Sequence, residues 1–312
     1  MVTAPANLIE GIRRRDPRAI ARAISWVESG APLSGQVMAG LEQDLIDQAR
    51  VYGITGPPGA GKSTLTGRLI GHYRRQEARV GVIAIDPSSP LSGGALLGDR
   101  IRMMDHALDP DVIMRSMASR GRLGGLCAAA GATVRILAGA GCSVIIIETV
   151  GVGQSEMDVI RLADLTALVV APGQGDDIQA MKAGLLEVAD LLVVNKGDCP
   201  GAEALALDLE TAARDRPALP AGLSRVCMTT ASENLGVAEL AKTLDRLDSK
   251  RRQSGEHQAK RALAQRLEVV DWALEMLRPR LEKMIGATEA VTRDDPRQLA
   301  SALIASLTGP ER

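Results

Sequence analysis

A chain of 312 residues with 37 basic and 38 acidic side chains, net charge −1, carries no electrostatic footprint for nucleic acid or for an anionic membrane. It contains no Phe, two Trp and two Tyr, so base-stacking platforms are not expected and the core has to be aliphatic. The length suits one α/β catalytic domain with appendages rather than two equal domains.

Cys127, Cys142, Cys199 and Cys227 are widely spaced, form no Cys-x-x-Cys, and lie far in sequence from His72, His106 and His257; buried or inert thiols in a reducing compartment are the expectation. No apolar run approaches the ~18 residues of a membrane span, and Met1 to Arg18 lacks a hydrophobic signal core. A soluble, unexported, cytoplasmic protein is therefore expected.

In chain order, Leu8, Ile9, Ile12, Ile20, Ile24 and Val27 are spaced helically around a break at Asp16-Pro17, which predicts two short helices. The Arg13-Arg14-Arg15 cluster reads as a solvated face. A further helix is predicted over Ser34 to Arg50. From Val51 to about Asp248, short β-rich runs alternate with helical segments, the signature of a mostly parallel sheet with helices on both faces. The predicted strands are Val51–Thr55, Val80–Ile85, Val112–Arg115, Ser143–Glu148, Leu165–Val170, Leu191–Asn195 and Arg225–Thr229. In such a sheet ligands bind beyond the carboxyl ends of the strands.

The first strand runs into Gly56-Pro57-Pro58-Gly59-Ala60-Gly61-Lys62-Ser63-Thr64 and a helix predicted over Ser63 to Arg75. This is a complete phosphate-binding loop in the required context. Its glycines permit a tight turn whose N–H groups and helix N-terminus converge on the β- and γ-phosphates. Lys62 adds a point charge, and the Ser63 hydroxyl is placed for Mg²⁺.

The second strand leads into Asp86-Pro87-Ser88-Ser89, with Asp99 beyond it. Both carboxylates are candidates for the Mg²⁺ site, directly or through water; the alternatives are a turn initiator for Asp86 and a helix-start residue for Asp99. The fourth strand ends in Glu148-Thr149-Val150-Gly151, then Val152-Gly153-Gln154-Ser155-Glu156. An acid closing a buried strand three residues before a glycine is the arrangement that senses Mg²⁺ and the γ-phosphate in nucleotide switches. That acid is usually Asp; here it is Glu. Four residues beyond it, where Ras-like GTPases carry the water-orienting Gln, stands Val152, so intrinsic turnover should be slow, with Gln154 and a later loop as candidates to complete the site.

That loop, Pro172-Gly173-Gln174-Gly175-Asp176-Asp177, precedes a predicted helix carrying Gln179 and Lys182, and by itself supports a switch role only weakly. The sixth strand ends in Asn195-Lys196-Gly197-Asp198. The Asp198 carboxylate can accept from guanine N1–H and the 2-amino group together, a pair adenine cannot offer; Asn195 can brace the loop and contact the base edge, and the stem of Lys196 can cover its face. After the last strand come Thr230-Ala231-Ser232, whose backbone could reach guanine O6. From Lys250-Arg251-Arg252 a boundary precedes a long helix in which Leu263, Leu267, Val270, Leu274, Leu277, Leu281 and Met284 form a coiled-coil-like seam interrupted at Pro279. That seam reads equally as a dimer contact or as a helix packed on its own domain.

The phosphate loop, the Asp-Pro-Ser-Ser loop, Glu148-Thr149-Val150-Gly151-Val152-Gly153-Gln154-Ser155-Glu156 and Asn-Lys-x-Asp stand in this order, and with them nearly the whole chain closely resembles the MeaB/ArgK family of metallochaperone-like P-loop GTPases. The resemblance implies an N-terminal helical segment over 1–50, a GTPase domain over 51–249 and a C-terminal helical dimerisation arm over 250–312. It implies a GTP-dependent, Mg²⁺-requiring chaperone that gates adenosylcobalamin delivery to a methylmalonyl-CoA-mutase-type enzyme and protects it, with Asp176, Gln179 and Lys182 communicating with the mutase. Thr230 stands where Ser is commoner, and the tail after Met284 is short. A nickel-delivery GTPase is the alternative among nucleotide switches, but no Cys/His cluster is visible to hold the metal. An ArgK-like transport-associated ATPase or kinase is disfavoured by Asp198 and by the lack of a membrane segment.

Overall fold

Strands rich in Val, Ile and Leu can be buried at every position only when helices cover both faces of their sheet. Here β1 (Arg50–Thr55), β4 (Val144–Thr149), β5 (Leu165–Val170) and β6 (Leu191–Val194) are buried from end to end apart from Arg50. With β2 (Val80–Asp86), β3 (Val112–Ala118) and β7 (Val226–Met228) they form one seven-stranded sheet in the order β3-β2-β4-β1-β5-β6-β7, every pairing parallel. The structure, a computed structural model, describes residues 4–86, 106, 108–118, 125–149, 155–174, 184–217, 219–220, 222–286 and 295–308.

Alternation along the strands divides the core in two. Ile145 and Ile147 join Val51, Ile83 and Ile85 on the face covered by α1 (Pro5–Arg13), α2 (Pro17–Glu28), α6 (Gly125–Gly139) and α7 (Ser155–Leu162). Val144 and Ile146 join Tyr52, Ile54 and Val82 on the other, under α5 (Lys62–Arg74) and α10 (Val237–Ser254), while α8 (Leu185–Val188) and α9 (Ala202–Ala212) cover Leu168, Val170, Leu192 and Val194 of β5 and β6. Connections on opposite faces make β1 the strand beside which the chain changes direction, β4 on one side and β5 on the other. The loop following β1 therefore lies in the crevice where such sheets bind ligands.

The predicted strands are all present, with ends displaced by a few residues. The two N-terminal helices form as expected, Asp16 capping α2 by accepting from the Arg18 N–H at 2.9 Å. Arg13 and Arg14 are exposed and paired with Glu42 and Glu10. The helix predicted over Ser34 to Arg50 is instead two short ones, α3 (Ser34–Ala39) and α4 (Gln43–Gln48). Gly40 parts them at a close approach, since a Cβ there would lie 2.3 Å from Ile9 Cδ1.

At the other end α10 runs through Lys250-Arg251-Arg252 and ends at Ser254, and α11 (Glu256–Gly286) follows the left-handed Gly255. Pro279 does not interrupt α11. It is exposed, where water can satisfy the carbonyl whose helical partner it removes, offsetting part of a cost of about 3 kcal/mol. The stripe of α11 that packs on α6 and α7 is His257, Arg261, Ala264, Glu268, Asp271 and Trp272, all buried or half-buried. Leu263, Leu267, Val270, Leu274 and Leu277 point away and are exposed. Thus the helix packs on its own domain by one stripe and leaves the apolar seam open. A last helix, α12 (Pro296–Thr308), completes the described chain.

Polar anchors fix α10 and α11 to the amino ends of the strands. Asp164, buried, accepts from the Val51 N–H at 2.9 Å and from Arg261 Nε and Nη2, each at 2.8 Å. His257 Nε2 stands 3.2 Å from the same carboxylate. Burial alone would raise the Asp164 pKa, but the contacts with His257 and Arg261 outweigh it and hold the group well below the usual carboxylate range. Nearby, Asp190 accepts from the Thr166 N–H at 2.8 Å and from Arg251 at 2.5 Å. Arg251 and Arg252 of the triplet that reads in sequence as a polar boundary thus supply half-buried counter-ions, Arg251 to Asp190 and Arg252 to Asp248.

Candidate nucleotide site

The phosphate loop leaves β1 through three glycines in backbone conformations that L side chains avoid: Gly56 (φ 140°), Gly59 (φ 77°) and Gly61 (φ 88°). Two are also sterically required. A Cβ on Gly56 would lie 2.0 Å from the Val169 carbonyl oxygen on β5, and one on Gly61 would lie 2.3 Å from Asn195 Nδ2. Lys62 is buried and donates to the carbonyls of Gly56 at 2.8 Å and Pro57 at 2.9 Å. The ammonium is thereby folded back over the cradle that its charge serves. Thr64 lies exposed at the start of α5.

Ser63 and Glu148 meet as the sequence predicts. The Ser63 hydroxyl donates to Glu148 Oε1 at 2.6 Å, both residues being buried. The added methylene of Glu relative to Asp brings the carboxylate into direct contact with the hydroxyl. A hydroxyl and a carboxylate converging beside the phosphate cradle are the hard oxygen donors Mg²⁺ takes, so these residues fit the ion. Thr149 donates to Thr55 at 3.1 Å beneath them. Glu156, at the start of α7, is a buried carboxylate whose pKa is pushed up by burial and drawn down by the Lys62 charge; reading the strand-end acid alone misses it. Asp86 ends β2 on the same edge of the sheet, but its side chain lies outside the described residues, as do Asp99, Val152, Gln154, Asp176, Gln179 and Lys182.

Asn195 is the joint between the phosphate and base ends of the site. Its Nδ2 donates to the Ala60 carbonyl at 2.8 Å, and its Oδ1 accepts from Thr229 Oγ1 at 3.0 Å and from the Ala231 N–H at 3.1 Å. Buried and joined to three residues of two segments, it acts as a brace, the first of the two tasks its sequence position suggests. Lys196 adopts the left-handed region (φ 58°), turning the chain so that Lys196 and Asp198 are exposed at the crevice mouth. Gly197 donates from its N–H to the Thr229 carbonyl at 2.9 Å, and Thr230 and Ala231 are buried behind it with Ser232 exposed. Arg68 of α5 donates to the carbonyls of Ala231 at 3.0 Å and Ser232 at 2.8 Å. This strut, carried by a residue of ordinary helical appearance, has no signal in the sequence. Gln174, in the loop that the sequence offers only as a weak switch candidate, crosses from the end of β5 to donate to the Pro58 carbonyl at 2.7 Å.

The arrangement is a phosphate cradle, a hydroxyl–carboxylate pair and an exposed carboxylate at guanine-reading distance in sequence, joined by one buried amide. Comparisons with known proteins agree with it. The family described as methylmalonyl Co-A mutase-associated GTPase MeaB matches residues 20–289. A Pyrococcus abyssi protein bearing a GTPase name is 49% identical over 240 residues, 75% of this chain and 73% of that one. The GTPase ArgK of Escherichia coli (strain K12) is 44% identical over 200 residues, 62% of this chain and 60% of its own. A Mus musculus protein named methylmalonic aciduria type A homolog, mitochondrial, is 37% identical over 205 residues, 62% of this chain and 49% of that one. The crystal structure of a LAO/AO transport system kinase superposes with a TM-score of 0.68 at 26% identity, covering 98% of both chains. By its site, its fold and these matches, the chain belongs to the MeaB family of P-loop GTPases, which bind guanine nucleotide and hydrolyse GTP.

Proposed function

We propose that this GTPase is a chaperone of an adenosylcobalamin-dependent acyl-CoA mutase of the methylmalonyl-CoA mutase type, using GTP hydrolysis to gate cofactor delivery and to protect the mutase. The observation that carries the reading is the family match over residues 20–289, whose description names that mutase. The mouse relative's name supports it.

In this reading Gly56 to Thr64 hold the phosphates, and Lys62 releases the two loop carbonyls it now contacts to neutralise charge on the γ-phosphate. Asp198 reads guanine, Lys196 covers its face, and Asn195 holds the Thr230-Ala231-Ser232 backbone against the phosphate loop. Ser63 and Glu148, with Asp86 and Asp99 as further acids, would hold Mg²⁺, which when bound supplies Lewis-acid neutralisation of phosphate charge. Because Ser63 donates its proton to Glu148 at 2.6 Å, the lone pairs of its hydroxyl oxygen stay free to face an ion. Gln154 and the segment carrying Asp176, Gln179 and Lys182 complete the hydrolytic site when the mutase engages it. The cytoplasm suits the chain: no described helix is long and apolar enough to cross a membrane, and Cys142, Cys199 and Cys227 are free thiols. The open seam of α11 is the proposed homodimer contact.

Single-turnover GTP hydrolysis with and without the host's cobalamin-dependent mutase tests the proposal. Hydrolysis is slow alone and accelerates with the mutase, by as much as ~10³–10⁵ where partners complete other GTPase sites, and Asp176→Ala or Lys182→Ala reduces the acceleration while GTP affinity holds. Fast hydrolysis by the isolated protein, or acceleration untouched by both substitutions, would sink it.

A further inference from the structure

The phosphate loop is held by side chains on its carbonyls. Lys62 takes those of Gly56 and Pro57, Asn195 that of Ala60, and Gln174 that of Pro58. The first two come from the motifs that define the site. Gln174 stands outside them, in the loop after β5. It reaches the loop because β5 pairs with β1 and the two strands end side by side, and because Gly173 (φ 82°) turns the chain back. Its Oε1 accepts from the Ala171 N–H at 3.2 Å, closing that turn, and its Nε2 donates to Pro58 at 2.7 Å.

The consequence follows from peptide geometry. In a planar trans peptide the carbonyl of one residue and the N–H of the next point in opposite directions, and the described chain has no cis bonds. Fixing the Pro58 carbonyl toward Gln174 therefore fixes the Gly59 N–H away from it. Pro57 and Pro58 have no N–H of their own, so Gly59 supplies the first amide donor after Gly56. Gly59 is also free to rotate, since glycine places no Cβ in the way and even a built Cβ meets nothing nearer than Gln174 Nε2 at 3.9 Å. Left alone, the Pro58–Gly59 peptide could flip and turn a carbonyl, a repulsive dipole, toward the phosphates.

We infer that Gln174 is a positioning residue for GTP hydrolysis, pinning the Pro58–Gly59 peptide so that the Gly59 N–H stays directed at the phosphate cradle. The inference rests on the phosphate-loop reading of residues 56–64. It adds a residue that neither that reading nor the mutase proposal requires.

Two substitutions separate the bridge from the turn. Gln174→Ala removes both hydrogen bonds, whereas Gln174→Glu keeps an acceptor for the Ala171 N–H and loses the donor to Pro58. GTP hydrolysis by the full chain, together with the ¹H–¹⁵N resonance of the Gly59 amide, is measured for both. A preorganised donor is worth ~10²–10³ in rate when deleted outright, so loosening one should lower kcat about tenfold in both variants, with KM within about threefold of wild type. The Gly59 resonance should shift or broaden in both. A wild-type kcat in Gln174→Glu beside a loss in Gln174→Ala would overturn the inference, leaving the side chain a turn closure only. So would an unmoved Gly59 resonance. A wild-type chain that does not hydrolyse GTP would overturn the nucleotide reading as well, so the two failures are told apart by the wild-type control.

Discussion

Asp198 and Asn195 stand three residues apart and divide the labour of base recognition by their exposure. Asp198 is open to a ligand, whereas Asn195 is buried and spends its carbonyl oxygen on Thr229 and Ala231. Asp198→Asn should weaken GTP by about 2–4 kcal/mol, the loss of a charged bidentate contact, and shift preference toward xanthosine triphosphate; calorimetric titration with both nucleotides checks it, and unchanged GTP affinity would remove Asp198 from the base site. Asn195→Ala should act differently. It strips the partners from the Ala60 carbonyl and the Ala231 N–H inside the protein, at about 1–3 kcal/mol for each buried group left unsatisfied, so both the urea midpoint and GDP affinity should fall. A variant that loses affinity at wild-type stability would mean that Asn195 serves the ligand rather than the brace.

Elements in this fold are joined at their ends, and the joints are sterically or electrostatically exact enough to test. At the carboxyl edge, Gly61→Ala combines a left-handed φ with a Cβ 2.3 Å from Asn195 Nδ2, whereas Gly30→Ala, also at positive φ (65°), meets nothing within 4 Å. Thermal unfolding should show a modest loss for Gly30→Ala and a clearly larger one for Gly61→Ala, accompanied by loss of nucleotide binding. Equal losses would show that backbone strain, not the contact with Asn195, sets the requirement. At the amino edge, Arg261 forks onto buried Asp164. Removing one partner of a buried pair costs about 3–5 kcal/mol, so Arg261→Ala should lower stability by that order at neutral pH. The sign of the pH effect follows from the depressed Asp164 pKa. The stabilisation is fully present above the unfolded carboxylate value of about 3.9 and is lost as pH falls below it toward the folded value. Urea midpoints measured from pH 7 to pH 3 should fall more steeply at the acid end in wild type than in Arg261→Ala. Parallel curves would exclude Asp164 as the source.

For the whole molecule, α11 is the element with two destinations. One stripe is anchored on Asp164, α6 and α7, while Leu263, Leu267, Val270, Leu274 and Leu277 face outward. Those five residues recur at spacings of four and three over about four turns of helix, a length that a second copy of the chain can cover. Leu267→Asp with Leu274→Asp should convert the proposed dimer to a monomer in sedimentation velocity without altering far-UV circular dichroism. Wild-type protein that sediments as a monomer at micromolar concentration would end the dimer proposal. A dimer that survives both substitutions would move the contact elsewhere.

The site's chemistry was legible in the sequence because each of its groups belongs to a local pattern. Gly56 to Thr64 require a strand before and a helix after, Glu148 closes a continuous apolar run, and Asn195 and Asp198 follow another. Alternation and burial then gave the parallel sheet, since only helix-covered strands read as unbroken Val, Ile and Leu. Three things lay beyond it, each depending on residues distant in the chain. Gln174 and Arg68 meet the loops they hold only once β1 is set beside β5 and α5 beneath the base loop. Arg251 and Arg261 show no partner in the sequence until Asp190 and Asp164 are brought under them. A heptad-like spacing states that a helix has an apolar stripe, but not which side of it the domain occupies; here the domain took the stripe built on His257, Arg261 and Asp271, because on that side Arg261 meets the buried Asp164 carboxylate and Asp271 meets Arg161 of α7, pairs that the outward leucines and valines could not make.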